Sequence, residues 1–177
     1  MNYLNVDQNQ QQHWLQILGP KTRMRVGFCW SGRRDAWLNR HKGMPFSDIC
    51  ALIRDNPQYE WVNLQTDATA EEEQALADLG VSRYPNTIHS FADTAALIMA
   101  MDVVISVDTA IAHLSGALGR PTWIMLNWFG TDWRWLLNRD SSPWYSTARL
   151  FRQPAMDDWA SVTKKVAKLD RKSTRLN

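Results

Sequence analysis

Chemistry-bearing residues concentrate in DVVISVDTAIAHLSGALGRP, residues 102–121. The apolar run 103–107 predicts a buried strand. Asp108-Thr109 then opens a helix that carries His113 and ends near Gly119-Arg120-Pro121. A strand that feeds straight into a helix N-terminus makes an anion-binding corner in an open α/β sheet. Unpaired backbone N–H groups and the positive end of the helix macrodipole face the ligand there, and a diphosphate is its natural occupant. Thr109 and Ala110 are the first helical residues on this reading, so their N–H groups and the Thr109 hydroxyl face the phosphates. As an N-cap, Asp108 would only satisfy helix donors. His113 lies one helical turn after Thr109 on the same face, a place where a lone histidine is more often a satisfied core residue.

A second corner follows MRVGFCW, residues 24–30, where Ser31-Gly32 turns a predicted strand outward. The Ser31 hydroxyl can donate to a phosphate, and Gly32 allows close backbone approach. The loop RRDAWLNRHKG, residues 33–43, adds Arg33, Arg34, Arg40 and Lys42, either as a solvated basic face or as phosphate contacts. An arginine would act there as a fork and a lysine as a point charge. Gln65, at the end of a predicted strand, is placed either to hydrogen-bond a base or ribose or to make a turn. Arg134, between Trp133 and Trp135, either reaches the diphosphate or locks an aromatic loop by stacking. Four of the ten tryptophans, Trp128, Trp133, Trp135 and Trp144, crowd into that loop. They line a pocket for base or sugar, or form a satellite cluster that pins the loop. His13, His41 and His89 carry no supporting pattern. Neither a Ser-His-Asp or Cys-His nucleophile arrangement nor an Asp-x-Asp pair stands out, so covalent catalysis and a bound metal are not expected.

The elements that must position these residues alternate throughout. Helices are predicted over 46–54 (with Pro45 early in it), 70–79, 94–101 (capped by Asp93) and 157–169. Strands are predicted over 24–30, 59–65, 86–89, 103–107, 122–126 and 149–151, the last at an edge. The continuous apolar character of 103–107 and 122–126 suits central strands covered on both faces. Glu71, Glu72 and Glu73 complement their helix dipole and read as solvated. The result is an α/β, Rossmann-like, doubly wound parallel sheet of roughly six strands. A chain of 177 residues suits one domain, and a net charge of +2 argues for neither nucleic acid nor an anionic membrane. Cys29 and Cys50 lack metal-type spacing, and Cys29 reads as a buried reduced thiol. A polar N-terminus without a signal peptide, and no bilayer-length apolar run, lead to an expected cytoplasmic setting. Residues 1–22 read as a linker or the end of an upstream element, 23–169 as the binding domain, and 170–177 as a tail. That tail resembles translated sequencing-adaptor sequence.

Four motifs in order carry a resemblance: VGFCWSG (26–32), FADTAALI (91–98), DVVISVDTAIAHLSGALGRP (102–121) and DWRWL (132–136). Together they resemble the glycosyltransferase family 9-like domain, whose members include ADP-heptose heptosyltransferases. The nearest likeness is to the version at the C-terminus of bacterial tetratricopeptide-repeat proteins, and it covers about residues 25–169. The resemblance implies the GT-B fold, with two Rossmann-like domains facing across a cleft. This chain is similar to the C-terminal, donor-binding half. The general base and acceptor site are then expected in an N-terminal domain outside these residues, so the isolated fragment is expected to be inactive. Partners implied are a nucleotide-sugar donor, that second domain and a repeat array. No cofactor is implied, and transfer to an acceptor hydroxyl is expected to be metal-independent.

By the same resemblance, Asp108 would bind sugar hydroxyls and His113 a phosphate, where a protonated imidazole would help neutralise the leaving group. One of Arg40 and Lys42 would supply the basic residue that relatives carry shortly before the position of Pro45. The donor-binding set is thus Ser31, Gly32, Arg40, Lys42, Gln65, Asp108, Thr109, Ala110, His113 and Arg134. The alternative is a non-catalytic binding or scaffold module derived from such an enzyme. A sugar-nucleotide epimerase on the same architecture ranks last, because no acid/base carboxylate pair is evident.

Overall fold

The computed structural model describes residues 3–32, 42–84, 86–129 and 131–168. Five strands form one parallel sheet: β1 (Arg25–Cys29), β2 (Glu60–Asn63), β3 (Val103–Val107), β4 (Thr122–Leu126) and β5 (Ala148–Arg152). Their spatial order is β2-β1-β3-β4-β5, with every neighbouring pair parallel. The helices are α1 (Gln8–Leu18), α2 (Phe46–Arg54), α3 (Ala70–Asp78), α4 (Phe91–Met99), α5 (Ala110–Ala117) and α6 (Trp159–Lys168), with a 3₁₀ turn at Trp133–Trp135.

Successive strand side chains point to opposite faces, and here both faces are apolar. Val26, Phe28, Trp61, Val103, Ile105 and Met125 pack with Ile49 and Leu52 of α2, Leu76 of α3 and Val162 and Val166 of α6. Val62 and Val104 pack on the opposite face with Trp14, Ala96, Leu97, Ile111 and Leu114, from α1, α4 and α5. Glycine at position 27 permits one of the closest approaches. A Cβ there would sit 2.8 Å from Leu64 Cδ1 and 2.9 Å from Met101 Cγ. No helix among the described residues is long and apolar enough to cross a membrane.

The doubly wound α/β architecture agrees with the expectation, and two local readings change. No strand forms over 86–89. Its backbone donors are spent on a turn, Thr87 N–H to the Tyr84 carbonyl at 3.1 Å, and on the next helix, His89 N–H to Asp93 at 3.0 Å. Ser90, not Asp93, is the N-cap of α4. Asp93 occupies the third helical position and returns a bond to the Ser90 N–H, so the helix begins earlier than predicted.

The N-terminus, read as a linker or the end of an upstream element, forms a helix packed against the sheet. Asp7 caps α1, Gly19 ends it at φ 69°, and Trp14 is only 1% exposed, edge-on to Tyr84 at 5.3 Å. The buried Arg25 guanidinium donates to the Gly19 and Leu18 carbonyls at 2.7 and 3.2 Å and pairs with Glu60 at 2.9 Å. The end of α1 is thereby tied to β1 and β2. The tail expected over 170–177 lies outside the described residues.

Candidate functional site

Chain order reverses between β1 and β3. The connection from β1 leads to β2 on one side, while β3, β4 and β5 continue on the other. A crevice opens outside the carboxyl ends of strands at such a switch point. Here it is an open cavity of about 1220 Å³. Ser31, Gly32 and Lys42 line it from the loop after β1, and Gln65 and Asp67 from the end of β2. Asp108, Thr109, Ala110 and His113 line it from the β3–α5 corner. Eight of the ten residues expected at a donor site therefore share one cavity. Arg40, with Arg33, Arg34 and His41, lies outside the described residues.

Two helix N-termini border this cavity, and they differ. That of α4 is filled by its own capping box, whose Asp93 carboxylate is held below the usual range by the Ser90 hydroxyl. That of α5 has no side-chain cap. The Thr109 hydroxyl is hydrogen-bonded to Ser106 Oγ at 2.9 Å, and Thr109 lines the cavity. Thr109 is the N-cap, so the helix starts one residue later than expected, at Ala110. The N–H groups of Ala110 and Ile111 meet no acceptor among the described residues. Unpaired helix donors at a cavity wall favour an anion.

Asp108 is 8% exposed and does not cap α5, so its expected capping role gives way to another. Its Oδ1 accepts from the Trp135 indole N–H at 2.7 Å. Its Oδ2 accepts from Lys42 Nζ at 2.9 Å and from the Asp132 N–H at 3.0 Å. One buried carboxylate thus binds together the β3 terminus, the basic loop and the Trp133–Trp135 turn. Charge-assisted bonds are the stronger kind, and removing one partner of such a buried set costs about 3–5 kcal/mol.

His113 stacks on Trp135 with ring centroids 4.7 Å apart. Its Nδ1 lies 3.0 Å from the Tyr145 hydroxyl, and its Nε2 lies 4.0 Å from Asp108 Oδ1, beyond hydrogen-bond range. Burial lowers the imidazole pKa below its ordinary value. Asp108 and Asp132 oppose that shift, and Arg134 and Lys42 add to it. Without ligand, that direction favours the neutral ring at pH 7.

The remaining expectations divide. Gln65 lines the cavity and ties the ends of β1 and β2 together: its Oε1 accepts from Ser31 N–H and Cys29 Sγ–H, each at 3.1 Å, and its amide donates to Asp67. Arg134 takes the locking role, 4.5 Å over the Trp133 ring and paired with Asp132 at 3.0 Å. The cavity lining includes neither Arg134 nor any of the four clustered tryptophans. Trp135 is core, whereas Trp128, Trp133 and Trp144 are half-exposed or more. Sequence reasoning missed Tyr145 and the roles of Asp132 and Trp135 as donors to Asp108. The DWRWL string marked the second pair, but no spacing rule links it to Asp108.

Fold and site together define a doubly wound α/β domain with a crevice at its switch point, bordered by an uncapped helix N-terminus. Residues 60–125 match the model of glycosyltransferase family 9 (heptosyltransferase), from β2 through almost all of β4. The chain is 31% identical to protein FlbA of Caulobacter vibrioides, in an alignment covering 93% of this chain and 28% of that protein. Among solved structures it resembles a glycosyltransferase family 9 protein of Veillonella parvula, with TM-score 0.66 and 13% identity, over 93% of this chain and 45% of that one. It also resembles Escherichia coli ADP-heptose lipopolysaccharide heptosyltransferase II, with TM-score 0.58 and 15% identity, over 95% and 54%. Escherichia coli heptosyltransferase WaaC, solved with ADP-2-deoxy-2-fluoro heptose, gives TM-score 0.54 and 20% identity, over 91% and 45%. The fold is thus that of about half of each heptosyltransferase structure, and the chain spans a little over a quarter of FlbA.

Proposed function

We propose that this domain binds a nucleoside-diphosphate sugar and serves as the donor half of a GT-B glycosyltransferase that passes the sugar to an acceptor hydroxyl. The observation that carries this reading is the uncapped N-terminus of α5 beside Lys42, in a switch-point crevice within or next to the segment matching family 9. As the glycosidic bond breaks, negative charge grows on the departing diphosphate. Fixed N–H donors and a lysine are positioned to stabilise that charge without solvent reorganisation. The Ala110 and Ile111 N–H groups and Lys42 supply positive potential without a metal, while Asp108 holds Lys42 in place. The acceptor hydroxyl must lose a proton, and we assign its general base to a second domain across the cleft. On this reading the isolated chain binds donor without turning it over. A tetratricopeptide-repeat array would belong to the same larger protein, and the buried free thiols of Cys29 and Cys50 suit a reducing cytoplasm.

One observation favours a second reading, a non-catalytic binding module. Asp108, the residue assigned to sugar hydroxyls, already accepts from three protein donors. Calorimetry with ADP, UDP, GDP and CDP, with and without magnesium, tests the main proposal. Metal-independent binding of one of them, weakened in the Lys42→Ala variant, supports a donor site and names its base. Silence from all four in a folded sample overturns it. Binding without transfer, once a second domain is supplied, selects the binding module.

A further inference from the structure

Tyr145 stands outside the cavity, on the loop before β5, within hydrogen-bond reach of His113. Its ring is 6% exposed and packs edge-on to the imidazole at 5.8 Å. Its hydroxyl has two neighbours, His113 Nδ1 at 3.0 Å and the Tyr3 hydroxyl at 3.4 Å. A phenol has one proton to donate. The imidazole nitrogen is both the nearer acceptor and the more basic one, so the Tyr145 proton goes to Nδ1 and Tyr3 donates to Tyr145. Nδ1 is then an acceptor, and a neutral ring must carry its proton on Nε2. That nitrogen has no hydrogen-bond partner among the described residues, and His113 lines the cavity.

We propose that Tyr145 is a positioning residue: it locks His113 as the neutral Nε2–H tautomer and so presents one N–H donor to an anionic ligand in the cavity. This rests on the diphosphate reading of the same site. The charged and titratable groups that face the ring are Asp108 from the β3 end, Asp132 and Arg134 from the Trp133–Trp135 turn, Lys42 from the basic loop, and Tyr145 itself. The arrangement is held tightly. Trp135 covers one face of the imidazole, and a Cβ on Gly116 would lie 2.5 Å from Tyr145 Cγ, so the helix carries glycine where the phenol ring crosses it.

The tautomer is read first, without ligand, from two-bond proton–nitrogen correlations of the imidazole in the full chain. Wild type is expected to show a protonated Nε2 and a bare Nδ1 at pH 7.5, and Tyr145→Phe a mixture of tautomers. Titration with inorganic pyrophosphate across pH 5 to 8 follows. Tyr145→Phe is expected to bind more weakly at pH 7.5 by the inverse of its Nε2–H fraction, about twofold for an even mixture. The gap should narrow as pH falls and the ring takes up its second proton, because a doubly protonated ring donates from Nε2 whatever Tyr145 does. A protonated Nδ1 in wild type, an unchanged tautomer in Tyr145→Phe, or a binding defect equal at every pH overturns the proposal. If the tautomer is as expected but neither pyrophosphate nor any of the four nucleoside diphosphates binds, the diphosphate reading fails, and the ligand-facing half of this proposal fails with it.

Discussion

Asp108 shows how much one buried side chain can organise. The carboxylate holds three donors from two different loops, so Lys42 stands at the cavity because Asp108 keeps it there. Lys42→Ala should reduce pyrophosphate affinity about tenfold, or ~1.4 kcal/mol, read by calorimetry. An unchanged affinity would remove Lys42 from the site. His113 leads to a second prediction, on pH. Its folded pKa lies below the ordinary 6.5, chiefly through burial, so the unfolded chain takes up a proton first as pH falls. Its contribution to stability is present above pH 6.5 and is lost as pH drops through the depressed folded value. Urea unfolding followed from pH 8 to 5 should show that decline, and His113→Gln should flatten it. Cys29 behaves in the opposite sense. Burial pushes its thiol up to about 11, which leaves it protonated and poorly nucleophilic at neutral pH despite its place at the cavity floor.

At the scale of elements, the N-terminal helix and the α5 crossing carry the clearest tests. Trp14 is the one buried residue of α1 and packs against the side of the sheet that α4 and α5 also cover. Trp14→Ala should destabilise the domain by about 3–5 kcal/mol. A loss under about 1 kcal/mol would mean that α1 is peripheral. Gly116→Ala probes a different joint. Its new methyl would collide with the Tyr145 ring, so Tyr145 must move and release His113. Expected together are lower stability in denaturant and a mixed imidazole tautomer. Retention of the wild-type tautomer in a folded Gly116→Ala protein would show that the ring has another place to go.

Across the whole molecule, the site sits where the order of strands reverses, and five separate connections supply its residues: the loops after β1, β2 and β4, the β3–α5 corner and the start of α4. A ligand that bridges them must stabilise the folded state as a unit. At a hundredfold excess over Kd, the matching nucleoside diphosphate should add about 2.7 kcal/mol to the unfolding free energy. The accompanying rise in Tm should be the same with magnesium or with a chelator present. A rise that depends on magnesium would transfer the charge-stabilising role from Lys42 and α5 to a metal.

Much of the architecture was legible from local pattern. The buried strands announce themselves as apolar runs, because a sheet covered on both faces leaves no polar side. The β3–α5 corner was equally legible, since a helix that follows directly on a buried strand is read from local pattern. The segment 86–89 was not, because its backbone donors had a nearer use in the Ser90 box than in a ladder. Nor was the packing of α1, whose single buried tryptophan finds its partners far along the chain. Sequence by itself determined the fold class, the switch-point corner and eight of the residues that line its cavity. Only the tertiary structure decided what those residues do there. Asp108 meets partners 24, 27 and 66 positions away, and His113 meets Tyr145 at a separation of 32. Contacts at such separations follow from how whole loops pack, and no local spacing encodes them.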